Sequence, residues 1–360
     1  ALKNWKDSKY FNWYEWKKRP PSYPLPPGEN AIDYYDCWWG FGLHPNLNYD
    51  LSRPNAQENG ITKIEDADPN WDVVNYVLEA PEYWMGKMGV SGFRLDVPNE
   101  VPFWFWHLFR EKCRKVKPDH ILIGEIWGDA TQWITPEVFD AVMNYRYFKD
   151  PVVKWIAQKK ANAATFAQEL APGRTRYPIQ AVRAQMNLID SHDTERFLRV
   201  AGDDARRLRL AATFAMTYVG APHIYYGDEL GLTGGKDPDC RRTMPWSSMT
   251  TPARQQTLKH YEALTALRHE HEALSLGDFT TLLTQGQVFA YLRQLGEEHI
   301  VVVLNNGDSA ASVTVPLGDA GISDGAKAEF LYGEGDAQKV THGAVKVSVP
   351  GVDAVILNLE

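Results

Sequence analysis

Three carboxylates in this chain stand where short apolar runs end: Asp96 in Arg94-Leu95-Asp96, Glu125 in Gly124-Glu125-Ile126, and Asp193 in Ser191-His192-Asp193. Side chains alternate along a strand, so Arg94 and Asp96 point one way while Phe93 and Leu95 point the other. A guanidinium beside a carboxylate favours its ionised form, which suits a nucleophile. Glu125 closes the apolar run Ile121-Leu122-Ile123, where partial desolvation favours the protonated form and suits an acid. A nucleophile with a separate acid/base about 5 Å away is what retaining hydrolysis of a glycosidic bond requires. In that chemistry Asp193 and His192 hold the hydroxyls of a distorted sugar ring. A single strand-end Asp is more often a helix cap or a loop anchor. The spacing alone also admits aldol or metal-assisted chemistry on a barrel.

Groups placed this way need parallel strands, whose C-terminal ends gather function in α/β proteins. The periodicity supplies them. A helix is expected from about Asn70, after Asp68-Pro69, with Val73, Val74, Val77 and Leu78 as its stripe and an end near Gly86 or Gly89. The strand-like run Val90–Val97 follows, then helical Phe103–Val116 and the strand His120–Ile126. Further strands are expected at Ala141–Tyr145, Met186–Asp190 and His223–Tyr226, with helices at Asp203–Tyr218 and Pro252–His269. Strands alternating with helices give βαβ units and a parallel sheet. Residues 1–66 read as irregular, broken by Pro20-Pro21 and Pro26-Pro27-Gly28. From about Leu276 the pattern changes to short β runs at Ile300–Leu304, Ser312–Val315, Ala328–Leu331, Val345–Val349 and Ala354–Leu359 with no helix between, a separate small antiparallel β domain.

Composition removes several function classes. A formal charge of −8 opposes general nucleic-acid binding, which needs a basic surface. No apolar run reaches the roughly 18–20 residues of a membrane helix, and Ala1–Tyr10 is polar and aromatic, unlike a signal peptide. Cys37, Cys113 and Cys240 are odd in number and widely spaced; they read as free thiols and fit a reducing, cytoplasmic compartment. The 13 Trp and 17 Tyr include clusters in polar segments such as Tyr10–Trp16 and Tyr34–Trp39. Aromatic faces pack well on the C–H faces of sugars, and equally well in a loop-rich core.

At the carboxylates the sequence resembles the α-amylase family. Gly92-Phe93-Arg94-Leu95-Asp96, Gly124-Glu125-Ile126-Trp127 and Asn187-Leu188-Ile189-Asp190-Ser191-His192-Asp193 are similar to three of its signature regions, in order. The resemblance implies Asp96 as nucleophile, Glu125 as general acid/base and Asp193 as transition-state stabiliser, with Arg94 and His192 in the −1 sugar site. Finer features resemble the neopullulanase, cyclomaltodextrinase and maltogenic amylase branch. Val97-Pro98-Asn99-Glu100 looks like that branch's Val-Ala-Asn-Glu, and Trp127 like its aglycone-side tryptophan. Asn99, Glu100 and Trp127 are thereby candidate substrate contacts, with Glu100 and Trp127 facing the acceptor. Gly227–Leu232 followed by Asp237–Arg242 is similar to the last barrel loop, which implies Asp237 and Arg241 at the glycone end. Pro45-Asn46-Leu47-Asn48 resembles the inserted-domain signature, though His44 precedes it where the branch usually has Met.

The resemblance implies a (β/α)8 TIM barrel within the α/β class, with 1–66 as a domain inserted after barrel strand three. Residues 67–275 then hold barrel strands four to eight, and 276–360 a C-terminal antiparallel β-sandwich. The family's first signature, Asp-x-x-x-Asn-His, has no counterpart, so strands one to three are expected in a missing N-terminal barrel segment, on the same or a separate polypeptide. Alone, the chain is expected to show little activity. The implied activity is hydrolysis of α-1,4 and in part α-1,6 bonds in cyclodextrins, pullulan or maltooligosaccharides, with some transglycosylation and no cofactor needed for the chemistry. Calcium is left open: relatives use an Asn of the missing region and a His where Glu100 stands, which leaves a hard-oxygen site elsewhere. Expected partners are an α-glucan oligosaccharide and a second copy in a homodimer, with no nucleic acid or membrane. A glucanotransferase or glucan isomerase is the alternative within the family. A non-catalytic amylase-like binding subunit is the alternative outside it, opposed by the three retained carboxylates.

Overall fold

A computed structural model describes residues 1, 3–52, 61–318, 320–335 and 338–360. The chain forms two compact units, one of Ala1–Ile126 with Gln132–Asp140 and one of Trp127–Thr131 with Ala141–Glu360.

In the first unit the proline-broken opening segment builds single 3-10 turns rather than long elements, among them Phe11–Trp13 and Trp38–Gly40. Isolated bridges tie it together: Tyr14 with Leu47, Trp16 with Tyr35, and Cys37 with Pro45. Tyr34, Tyr35 and Cys37 form its small buried core, with Trp16, Leu25, Ala31 and Ile32 packed around them. Helix α1, Trp71–Pro81, is anchored by Asn70, whose Nδ2 donates to the carbonyls of Asn12 (2.7 Å) and Asn48 (2.9 Å). The α-helix stops at Pro81, earlier than the glycines suggest, and the coil continues as a π-turn over Glu82–Lys87.

Strands β1, Gly92–Leu95, and β2, Ile121–Gly124, pair in parallel with Gly92 opposite Ile121 and Leu95 opposite Gly124. A Cβ on Gly92 would lie 2.0 Å from the Ile121 carbonyl oxygen, so only glycine permits this approach. Between the strands runs α2, Phe103–Val116, which buries Trp104, Phe105, Trp106, Phe109 and Cys113. Arg110 grips Asp140 with two bonds of 2.6 and 2.8 Å, and Asp140 Oδ2 also accepts from the Leu122 amide at 2.7 Å. Helix and strand are thereby fixed to one carboxylate.

The second unit begins with β3, Ala141–Val142, and β4, Met186–Asn187. Helix α3, Ala205–Thr217, is capped by Asp204, which accepts from the Arg206 amide. Strand β5, Ala221–Pro222, pairs in parallel with β4. A strand at His223–Tyr226 is therefore corrected. Pairing ends as His223 N donates to Asn187 O at 2.8 Å, and Ile224 and Tyr226 turn outward, each 40% exposed. Buried Asn187 fixes this corner, donating to Val219 O (2.8 Å) and accepting from Asn144 Nδ2 (2.9 Å). Helix α4, Pro252–Glu270, and the short helix Glu272–Leu276 close the helical part.

The β region starts with two strands the sequence pattern left out, β6 (Asp278–Gln285) and β7 (Val288–Leu295). It continues with β8 (Glu298–Asn305), β9 (Ala311–Pro316), β10 (Lys327–Tyr332), β11 (Gln338–Lys339), β12 (Ala344–Val349) and β13 (Asp353–Leu359). Six strands form one sheet in the order β11-β10-β13-β8-β7-β6, all antiparallel, and β12 pairs with β9 in a second. Val301, Val303 and Leu357 from the first sheet meet Val313, Val315 and Val347 from the second in one apolar core. Among the described residues no helix is long and apolar enough to cross a membrane. All three cysteines are free and buried.

Candidate active site

The parallel pairing of β1 and β2 carries the first two carboxylates one residue beyond the ladder. Leu95 faces Gly124, the Glu125 amide donates to Leu95 O at 3.0 Å, and Asp96 and Glu125 leave adjacent strand ends together. Arg94 spans them, with Nη1 2.5 Å from Asp96 Oδ1 and Nη2 3.1 Å from Glu125 Oε1. The alternation that set Arg94 and Asp96 on one side is realised as this contact. The two carboxylates differ in setting: the Asp96 side chain is 77% exposed and that of Glu125 only 5%.

Glu125 is buried as expected but is not a bare carboxyl in an apolar pocket. Besides Arg94 it accepts a 2.9 Å bond from the Val97 amide at Oε2. Val97 presents that amide from a left-handed backbone, φ 39° and ψ 51°, a costly conformation for a β-branched residue. The turn that follows, Pro98–Glu100, is held by Trp106 Nε1 donating to Pro98 O at 2.9 Å. It sets Asn99 Nδ2 3.2 Å from Glu100 Oε1, and Trp39 Nε1 lies 3.4 Å from the same oxygen.

In the second unit Asp193 is braced from two sides. His192 Nε2 lies 3.1 Å from its Oδ2, and Arg241 Nη2 lies 3.1 Å from its Oδ1. Arg241 Nε also donates to His192 O at 2.9 Å and sits 3.0 Å from Asp237 Oδ1. All four sequence-selected residues of this unit thus form one cluster. The fifth, Trp127, is 47% exposed and stacks on Tyr145 with centroids 4.0 Å apart and planes 7° from parallel. Tyr145 OH is 3.0 Å from Ser191 Oγ, which in turn accepts from the Asp193 amide at 3.2 Å.

Residues 2–277 match the Alpha-amylase family, described as its catalytic domain. The chain belongs to the α-amylase family. A cyclomaltodextrinase of Thermoanaerobacter pseudethanolicus is 37% identical over 306 residues, covering 85% of this chain and 49% of that protein. Neopullulanase 2 of Thermoactinomyces vulgaris is 39% identical over 254 residues, covering 70% of this chain and 43% of that protein. The chain thus spans about half the length of these relatives. Among solved structures, a debranching enzyme from Nostoc punctiforme superposes with a TM-score of 0.84 at 31% identity, covering 99% of this chain and 71% of that one. A cyclomaltodextrinase superposes with a TM-score of 0.82 at 33% identity, covering 100% and 56%. This α-amylase chain accordingly has the TIM-barrel fold of the catalytic domain with a C-terminal antiparallel sheet.

Supporting residues of the α-amylase site escaped the sequence reading. Asp190 and Asp228 are both 1% exposed; Asp190 Oδ2 accepts from the Phe197 amide at 2.6 Å, and Asp228 Oδ1 accepts from Arg196 Nη1 at 3.1 Å. Burial pushes the Asp228 carboxyl well above its ordinary value, and the neighbouring Asp190 charge pushes it further. Fully buried Arg196 lies 3.1 Å from Asp228 Oδ1, donates to Tyr226 O and Cys240 O, and rests 3.8 Å from the Tyr225 ring centroid. This network ties the loop bearing Asp237 and Arg241 to the strand end bearing Asp193. Arg196 gave no sign in the sequence, where it closes the polar stretch Ser191-His192-Asp193-Thr194-Glu195. Among the described residues no three His, Cys, Asp or Glu side chains converge as metal ligands, and Glu100 is engaged by Trp39 and Asn99.

Proposed function

We propose that this chain supplies the catalytic carboxylates of a retaining α-glucan hydrolase of the cyclomaltodextrinase, neopullulanase and maltogenic amylase branch. The observation carrying the reading is Arg94 held between Asp96 and Glu125 at two adjacent parallel strand ends. In this reading Asp96 attacks the anomeric carbon while Glu125 protonates the departing glycosidic oxygen. Glu125 then takes a proton from water, which displaces Asp96 from the glycosyl-enzyme. Asp193, oriented by His192 and Arg241, binds the hydroxyls of the flattened ring and gains most as positive charge develops there. Arg94 keeps a cation beside the nucleophile throughout.

The relatives named cyclomaltodextrinase and neopullulanase support cyclodextrins and pullulan as substrates, α-1,4 bonds first and α-1,6 bonds second. The strands read as β1, β2, β3, β4 and β5 correspond in this proposal to barrel strands four to eight. The experiment is digestion of β-cyclodextrin and pullulan by purified protein of measured intact mass, with reducing sugar and product anomer followed by NMR. Asp96→Asn is expected to lower kcat by about 10⁴-fold or more. Glu125→Gln should recover partly on a substrate with an activated leaving group. Release of no reducing sugar by the chain together with its N-terminal barrel segment, or an inverted first product, would overturn the reading.

A further inference from the structure

Outside the carboxylates, the opening segment holds a stacked tryptophan pair with one open face. Trp38 and Trp39 stack with centroids 5.0 Å apart and planes 11° from parallel, and Phe41 lies against Trp38 at 5.8 Å. Trp39 is 72% exposed. The turn that turns its ring outward uses two successive left-handed residues, Trp39 at φ 47° and Gly40 at φ 78°. Such strain in a tryptophan persists only where the surroundings enforce it. Here the His44 carbonyl accepts from the Trp38 amide at 2.9 Å, and Cys37 bridges to Pro45, so the Pro45–Asn48 motif is the clamp.

The open face is not merely apolar. Indole Nε1–H lies in the ring plane, so the Glu100 carboxylate it meets at 3.4 Å sits at the rim of the platform. Asn99 Nδ2 bonds the same oxygen, Oε1, and among the described residues Oε2 has no hydrogen-bond partner. A pyranose binds proteins through this combination, its C–H face on an aromatic ring and its equatorial hydroxyls on planar carboxylates or amides at the edge. Asn99 also lines a groove of about 590 Å³ with Phe103, His107, Gln132, Trp133 and Glu137, a size and mix of aromatic and polar walls suited to further sugar rings.

We propose that Trp39, backed by Trp38 and edged by Glu100, is a stacking platform for a glucosyl residue of the α-glucan. It sets which sugar acceptors compete with water, and the groove past Asn99 takes the chain onward. This acceptor role rests on the hydrolase reading above; the binding itself does not. Calorimetric titration with maltotetraose tests it on the parent, Trp39→Ala, Trp39→Gly, Trp39→Phe, and Trp71→Ala as a control at another exposed tryptophan. Removing the ring should weaken binding about tenfold, Trp39→Phe should retain most of it, and Trp71→Ala should match the parent. In the parent, maltotetraose should also protect Trp39 from oxidation by N-bromosuccinimide, read by peptide mass, so a variant that fails to fold leaves the test intact. Unchanged affinity in Trp39→Ala, or no protection of Trp39, overturns the platform even if Asp96-dependent hydrolysis stands. Protection without any release of reducing sugar by the chain together with its N-terminal barrel segment upholds the platform and overturns the hydrolase reading instead.

Discussion

At the scale of single residues, the site is built from side chains that each serve more than one partner. Arg94 serves two carboxylates, and Arg241 touches Asp193, Asp237 and the His192 carbonyl. Val97 accepts backbone strain and in return its amide meets Glu125. That exchange is measurable. Val97→Gly removes a left-handed strain of about 1–2 kcal/mol, offsetting the lost packing of a half-buried side chain. Val97→Ala loses the packing and keeps the strain. Val97→Gly should therefore melt close to the parent and above Val97→Ala in thermal denaturation; the reverse order would show that the turn is unstrained. Arg94, Asp96 and Glu125 were legible in the sequence because strand alternation and an apolar run before an acid are local signals. The platform of Trp38 and Trp39 was visible only as aromatic richness, since stacking depends on a backbone turn that composition does not encode.

Among the elements, legibility followed the strength of local pattern. Helix α2 runs over Phe103–Val116 as expected, because its apolar face is continuous and Pro102 marks its start. The strand near 223 was misplaced because an aromatic run need not be a paired one: Tyr225 and Tyr226 cover Arg196 instead. The Asp190–Asp228–Arg196 network joins positions more than thirty residues apart and carries no periodicity at all. Its chemistry yields a pH signature. The folded-state value of Asp228 lies above the ordinary 3.8, so the folded protein holds a proton that the unfolded chain releases above that pH. Stability contributed by this group is full below pH 3.8 and declines as pH rises through the folded value. Asp228→Asn removes that titration. Urea unfolding at pH 5 and pH 8 should show a smaller decline for the variant than for the parent; equal declines would mean that Asp228 is ionised when buried.

Across the chain as a whole, the C-terminal sheets and the helices before them share a buried polar seam within the second unit. Arg293, fully buried, donates to Thr217 O, Leu274 O and Gly277 O. Arg207 reaches Asn306 Oδ1 and Asp308 Oδ1. His260 on α4 donates from Nε2 to Arg209 O at 2.8 Å, while Nδ1 accepts from Tyr332 OH on β10 at 3.0 Å, which fixes the neutral tautomer. Burial pulls its value down from 6.5 to about 4. The unfolded chain gains this proton below pH 6.5 and the folded protein only near pH 4, so stability is lost as pH falls between those values. The loss from this one group is about 3 kcal/mol. His260→Gln should flatten the acid limb of the stability curve, measured by denaturant unfolding from pH 7 to pH 4; an unchanged limb would place the acid sensitivity elsewhere.

Cys240 gives the loop beside Asp193 a clock. Its Sγ–H points at the His192 carbonyl, 3.1 Å away, and burial pushes the thiol above its ordinary value. A thiol reagent can reach that sulfur only while the stretch carrying Asp237 and Arg241 stands away from His192. The labelling rate at Cys240, read by peptide mass against the equally buried Cys113 within α2, therefore counts how often the brace on Asp193 is released.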